Sequence, residues 1–497
     1  MAEENEATMG REVLDVSLET KAANVRGVKV VDRSRQDKVL KVEKAAVDKK
    51  LAGDMVAKDR EVDMVMIKTV LEGAEILSSP PHSEGIPRAP IVTLQDGLIL
   101  DDRMFEAPTL LLGAVGSGKS YLLNQIMDPI LRYAEANDEN SIIFCAKPEF
   151  LKYRRPQDPV ISVDATEANS CWNLFQELCA SHNADLTARD IVRALTQTQR
   201  SQLQPFFVNA ANDILFQTIM CMHEEAQEKH TTYTNWHLVD FLNKTGIESG
   251  EMTWSELAHL RPNRFAHIKD YLGNNLGQGY GVISEIRTLI HDCFWGSFCS
   301  DCGNFSAIQT LKSGGKRIFL YYDYANSSEA SIKILRTILN LLLKHSIDQQ
   351  NRRRTWFFLD EASLLPETCI ADAMSLGREQ GFRLFMCLQS AQLMTRHYKE
   401  EEAKTLLSLF PNVICMKVQD AFSRRVVAER YGKNLCSYSF SAPMQKVIQH
   451  VSDRPVVADF DFSQIGKKGD AICSIPNLSM VPFFYHGYRK ELETNEQ

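Results

Sequence analysis

The segment GAVGSGKS, residues 113–120, carries the groups that grip a polyphosphate. Gly113, Gly116 and Gly118 let backbone N–H groups turn inward around phosphate oxygens, with Ala114, Val115 and Ser117 completing the loop. Lys119 has the reach and charge for the β- and γ-phosphates. The Ser120 hydroxyl suits Mg²⁺, and Tyr121 leads into the next element. TLLL (109–112) before the loop reads as a buried strand and the apolar run after it as a helix, whose N-terminus attracts anions. The whole fits the Walker A pattern, with ATP and Mg²⁺ as the expected ligands.

A second segment, TWFFLDEAS (355–363), supplies carboxylates. Four apolar residues end in Asp360, placed to hold Mg²⁺, and Glu361 follows where a carboxylate orients and polarises an attacking water. That pairing favours hydrolysis over storage and argues against a small-molecule kinase. In REQGFRLFMCLQSAQL (378–393) a further strand ends at Gln389, a position from which RecA-like motors sense the γ-phosphate. Arg378 is a candidate arginine finger donated across a subunit boundary, with a solvated helix arginine as the plain alternative.

Other clusters carry less. CSDC (299–302), even with His291 and Cys293 nearby, is one Cys pair where a zinc site calls for two. NKTG (243–246) lacks the Asp of a guanine-reading motif and precedes the carboxylate strand instead of following it. The basic groups Lys152, Arg154, Arg155 and Arg352, Arg353, Arg354 are either DNA contacts or solvated turns.

Positioning these residues takes an α/β architecture. Short apolar runs at 109–112, 141–146, 160–164, 317–323, 355–360, 382–389, 412–418 and 470–476 read as buried strands, most of them separated by helical patterns. Such alternation predicts a RecA-like P-loop fold with a largely parallel central sheet covered on both faces. Strand signals nearly vanish between about 178 and 302, which predicts an all-α domain inserted into the nucleotide-binding domain and separating Lys119 from Asp360. The nucleotide-binding domain then runs over 86–177 and 303–497. Residues 1–85 read as a mobile, charged N-terminal arm and linker, with loose helical periodicity over 47–72 and a Pro/Ser-rich boundary at 78–90. IVTLQDGLIL reads as a hairpin turning at Asp96-Gly97.

Composition sets outer bounds. The 497 residues carry a net charge of −8, so the chain is no general coat for nucleic acid, and any DNA contact must be local. Twelve scattered cysteines fit buried free thiols in a reducing compartment better than a disulfide framework. No stretch approaches the roughly 18 apolar residues of a membrane span, and the polar start is no signal peptide. The expectation is a cytoplasmic protein without a transmembrane segment of its own, possible association with the inner membrane face running through partners.

Together these motifs resemble the type IV coupling proteins of the TraG/TraD class, relatives of the FtsK/HerA motors. CAKPEF (145–150) resembles that family's D-x-K-x-E segment, NSCWNLF (169–175) its WNP segment, and QPFFVNAANDIL (204–215) the start of its all-α domain. LDEASLLP and LGREQGFRLFMCLQSAQL resemble its carboxylate and Gln motifs, and residues 452–486 its C-terminal end, where an RP segment precedes a strand pair. The resemblance covers about 90–497. Cys145 replaces the family's Asp, Pro148 its Gly, and Leu174 its WNP proline. The resemblance implies a homo-hexamer in which ATP hydrolysis between subunits moves single- or double-stranded DNA, with its relaxase or other cargo protein, to secretion-channel components. Two alternatives stay open: an ATP-dependent adaptor that recruits protein cargo, and a HerA-like DNA-processing ATPase.

Overall fold

A computed structural model describes residues 65–81, 90–164, 166–196, 205–244, 247–248, 251–252, 261–265, 276–325, 327, 331–348, 353–365, 369–441 and 448–487. The chain forms two compact units, Met1–Ile76 with Arg425–Asp461, and Leu77–Arg424 with Phe462–Gln497. The strands, in chain order, are β1 (Val65–Glu72), β2 (Val92–Thr93), β3 (Ile99–Leu100), β4 (Thr109–Leu112), β5 (Asn140–Cys145), β6 (Val160–Ile161), β7 (Ile247–Glu248), β8 (Glu251–Met252), β9 (Arg317–Tyr321), β10 (Thr355–Leu359), β11 (Phe382–Leu388), β12 (Asn412–Cys415), β13 (Lys433–Ser441), β14 (Ile448–Pro455), β15 (Ala471–Ser474) and β16 (Phe483–Tyr485).

The larger unit is built on a nine-stranded sheet in the order β16-β15-β12-β4-β11-β10-β5-β9-β6. Pairing is parallel from β12 through to β6 and antiparallel where β15 and β16 extend the other edge. β4, β5, β10 and β11 are buried along their whole length, as a sheet covered on both faces requires. Their residues alternate between layers. Ile143, Phe358, Phe385 and Cys387 join one cluster with Leu122, Leu123, Ile126 and Ile130 of helix Lys119–Ala136. All eight expected strands are present, and the pair expected after Arg454-Pro455 is β15 and β16. β2 and β3 form the expected hairpin, with Asp96 (φ 58°) and Gly97 (φ 74°) both left-handed, as a type I′ turn demands.

Between β6 and β9 the described chain is helical, with helices Leu174–Ala180, Ala184–Thr196, Pro205–Lys229, Asn235–Lys244, Pro262–Phe265 and Leu276–Cys293. The two-residue antiparallel pair β7–β8 is the one departure from all-α among the described residues of this stretch. Both ends of the stretch are tied together. Trp172 bridges to Phe305, and the fully buried Glu177 accepts hydrogen bonds from Trp172 Nε1 (2.8 Å), Ser306 Oγ (2.7 Å), Ala307 N (2.6 Å) and Ile308 N (3.0 Å).

The smaller unit corrects two expectations. Val65–Glu72, read as part of a loosely helical arm, is a strand; the helical reading of 47–64 lies outside the described residues. β-Branched residues and a long antiparallel register against β13 override the weak helical spacing. Residues 425–461, expected within the nucleotide-binding domain, fold with the 65–76 segment instead, as the sheet β1-β13-β14. Here Gly73 (φ 111°) lies so close to Asn434 that the Asn434 side chain both donates to Ala74 O (2.7 Å) and accepts from Ala74 N (3.0 Å).

Candidate nucleotide site

β4 delivers the glycine loop to the C-terminal edge of the sheet. There Gly113 N donates to Leu388 O (3.1 Å) and Ala114 N to Lys417 O (2.9 Å), so the loop is pinned on both flanks. Gly116 (φ 80°) and Gly118 (φ 102°) take up backbone that a side chain would strain. Gly118 also caps helix Lys119–Ala136 and lies where a Cβ would fall 2.9 Å from Gly469 N. Helix Lys119–Ala136 therefore starts directly after the pinned loop, and its first-turn N–H groups are the donors that bind phosphate at a helix N-terminus.

β10 brings Asp360 and Glu361 to the same edge, with β11 lying between β4 and β10. Asp360 N donates to Phe144 O (2.9 Å), so the ladder to β5 fixes the start of the turn. Asp360 is 2% exposed, and both its carboxylate oxygens are buried with no hydrogen-bond partner among the described residues. Burial raises its pKa, which Lys147 and then Lys119 pull back down. Lys147 Nζ lies 2.9 Å from Ser120 Oγ and 3.9 Å from Asp360 Oδ2, bridging two groups suited to a hard divalent cation. A buried carboxylate with orphaned oxygens beside a serine hydroxyl fits Mg²⁺. Glu361 is held in left-handed backbone (φ 60°, ψ 57°), a strained conformation for a residue with a side chain. Its Oε2 lies 3.5 Å from Lys119 Nζ, and its Oε1 accepts from Ser363 Oγ.

A family model for the type IV secretion-system coupling protein DNA-binding domain matches residues 96–439, more than two thirds of the chain. The chain belongs to this family. Among solved structures it is similar to the bacterial conjugative coupling protein TrwB lacking its first 70 residues, in complex with sulphate. The identity is 16% and the TM-score 0.64, over 85% of this chain and 95% of that one. TrwB with the ATP analogue ADPNP matches at 17% identity and TM-score 0.64, and TrwB with ADP and Mg²⁺ at 16% and 0.63, each over the same shares of the two chains. These likenesses establish the fold. No curated protein sequence matches the chain.

Within the coupling-protein fold, Gly113 to Tyr121, Asp360, Glu361 and the partly exposed Gln389 come together at one edge of the sheet. Arg378 does not join them. It sits in the turn before β11, at the opposite edge, 66% exposed and 3.2 Å from Glu106 Oε2. β11 is seven residues long, roughly 20 Å at ~3.3 Å per residue, so Arg378 cannot reach this subunit's own phosphate loop.

Two contributors escaped the sequence reading. Lys147 was visible in CAKPEF, but only its place beyond β5, next to β10, reveals a lysine on the cation-binding pair. The turn Lys467–Gly469 covers the glycine loop, with Gly469 N donating to Ser117 O (2.8 Å), and nothing in its sequence distance announced that contact. The basic triplets resolve mainly as structure. Arg155 pairs with Asp158 and Glu135, Arg353 with Asp138, and Arg354 with Asp102 and Glu139; Arg352 lies outside the described residues. No helix among the described residues is long and apolar enough to cross a membrane.

Proposed function

We propose that this coupling protein hydrolyses ATP and uses the cycle to move DNA, with attached protein, toward a type IV secretion channel. The observation that carries this reading is the convergence of Lys119, Ser120, Asp360 and Glu361 at one sheet edge, with Asp360's oxygens accepting no hydrogen bond among the described residues. TrwB, which shares the fold, is known with ADPNP and with ADP and Mg²⁺. The loop amides and Lys119 hold the phosphates, while Ser120 and Asp360 hold Mg²⁺. When bound, that ion neutralises phosphate charge. Lys119 Nζ lies 3.5 Å from Glu361 Oε2; a γ-phosphate would compete for the lysine and leave Glu361 to orient water. Gln389 reads the γ-phosphate from the end of β11. Arg378, out of reach in its own subunit, completes the site of a neighbouring copy in a homo-hexamer. The DNA-binding designation of the family supports DNA as the substrate. The helical region 178–302 is its cargo-facing part, and the protein works at the inner membrane face through channel partners.

ATPase rates with and without single-stranded DNA test this. The wild type is expected to turn over faster with DNA, and Lys119→Ala and Glu361→Gln to lose roughly 10²–10³-fold. A wild type that hydrolyses nothing in either condition sinks the motor reading. The net charge of −8 favours a second reading, an ATP-gated adaptor for protein cargo. Cargo capture that survives Lys119→Ala, with no ATP-driven DNA movement in the wild type, selects it.

A further inference from the structure

The opposite edge of the sheet holds a cavity of about 410 Å³ between the segments that enter β10 and β11. It is lined by Arg353, Arg354, Arg378 and Arg383, with Glu139 and Glu379 as its acidic members. Its two entry segments are tied together. Thr355 N donates to Gly381 O (3.1 Å), and Gly381 (φ 83°) approaches the Arg354 backbone so closely that a Cβ would lie 3.0 Å from its Cα.

Three of the four guanidiniums have carboxylate partners: Arg353 with Asp138 (3.1 Å), Arg354 with Asp102 (3.0 Å) and Glu139 (3.3 Å), Arg378 with Glu106 (3.2 Å). Arg383 has none among the described residues. It stands inside a strand of the central sheet, 6% exposed, and its Nη1 donates only to the carbonyls of Phe382 (3.1 Å) and Arg378 (3.4 Å). Its Nε is buried with no hydrogen-bond partner among the described residues. A lysine in that position escapes by losing its proton; a guanidinium does not. Burial, and then Arg354, lower the Arg383 pKa against the opposing pull of Asp102, Glu106 and Glu139. A buried ion without a counter-charge is destabilising. Nothing in the apolar packing of β11 calls for it, since Leu384 and Phe385 fill neighbouring positions with hydrocarbon.

We propose that this cavity is a second oxyanion site, taking a phosphate group, with Arg383 as its buried anchor and Arg378 at its exposed rim. Four arginines line the concavity against two carboxylates, Glu139 and Glu379, which leaves it net cationic as a phosphate requires; Arg383 also holds the carbonyl of Arg378, so occupancy steadies the turn that carries the rim arginine. Arg378 is the one residue shared with the proposed contact to a neighbouring copy; the anchor Arg383 takes no part in hydrolysis, so the assignment survives if that reading fails. The phosphate comes either from a soluble phosphate compound or from a DNA backbone.

The test uses the full-length chain carrying Lys119→Ala, which silences the glycine loop. Inorganic phosphate, exchanged for chloride at constant ionic strength, is expected to raise its melting temperature by a few degrees. Adding Arg383→Met or Arg383→Gln is expected to abolish that rise. In the Lys119→Ala chain with Arg383 intact, phosphate is also expected to slow phenylglyoxal modification of Arg378 several-fold, read by mass spectrometry; this arm needs no change in the cavity. Protection by a short single-stranded oligonucleotide at concentrations far below those of phosphate assigns the DNA backbone as the source. Protection by phosphate alone assigns a soluble compound. An equal phosphate-dependent rise with and without Arg383, or an unprotected Arg378 with both probes, overturns the site.

Discussion

The two ends of β10 and β11 hold opposite kinds of unfinished electrostatics. At the C-terminal end Asp360 is buried with neither oxygen accepting a hydrogen bond among the described residues, and at the N-terminal end Arg383 is buried with its Nε making none. Among the described residues, one sheet thus presents a carboxylate whose oxygens accept no hydrogen bond at one edge and a guanidinium with no carboxylate partner at the other. The edges differ in how each charge can be relieved. Asp360 has lysines within reach and can take up a proton; Arg383 has backbone carbonyls and cannot give one up.

Glu177 calibrates the comparison, because it is equally buried and fully satisfied. Four hydrogen bonds surround it, three of them joining the start of the helical region to the segment that follows it. Glu177→Ala strips the carboxylate from those donors and is expected to cost about 3–5 kcal/mol of unfolding free energy, measured by denaturant titration. A cost below ~1 kcal/mol breaks the scale on which Asp360 and Arg383 count as unusual.

Asp360→Asn is expected to do the reverse to stability while removing function. Hydrolysis falls roughly 10²–10³-fold, as expected when a group stabilising phosphate charge is lost. The ligand-free chain gains on the order of 1 kcal/mol, because a buried anion without donors is replaced by a neutral amide. Loss of both activity and stability places Asp360 in the packing instead of the site.

The same substitution makes a pH prediction. Burial raises the Asp360 pKa above its ordinary value of 3.8, so the folded chain binds this proton more tightly than the unfolded chain. Its stabilising contribution is complete below 3.8 and is lost as pH rises through the raised folded value. The stability advantage of Asp360→Asn over the ligand-free wild type should therefore grow with pH across that window and then level off. Glu139 and Glu177, also raised first by burial, slope the same way in both proteins and cancel in the difference. A flat difference across the acidic range excludes Asp360 as a carrier of unrelieved charge.

The cation edge was legible in the sequence because its chemistry is local. GAVGSGKS and FFLDE each announce a residue set within a few positions, and the apolar runs around them fix strand identity. The anion edge was not. Arg383 reads as one charge in an apolar strand, and its isolation depends on partners from residues 102, 139 and 354. Lys147 and Gly469 were missed for the same reason, since each acts through a contact that only the sheet order creates. β1 was misread because eight residues carry too little periodicity to outweigh a register set more than 350 positions away.

Arg378 gives the smallest effect on stability and the cleanest separation of the two edges. Its pair with Glu106 is exposed, and exposed ion pairs contribute roughly 0–1 kcal/mol, so Arg378→Ala should leave the melting curve nearly unchanged. If the arginine serves a neighbouring copy, hydrolysis by the variant falls while nucleotide affinity measured on isolated subunits stays as in the wild type. Mixing it with Lys119→Ala subunits should then restore part of the activity. At an interface pairing an intact glycine loop from one copy with an intact Arg378 from the other, each half is supplied by a different variant. Two dead variants that stay dead together confine Arg378 to the turn it occupies.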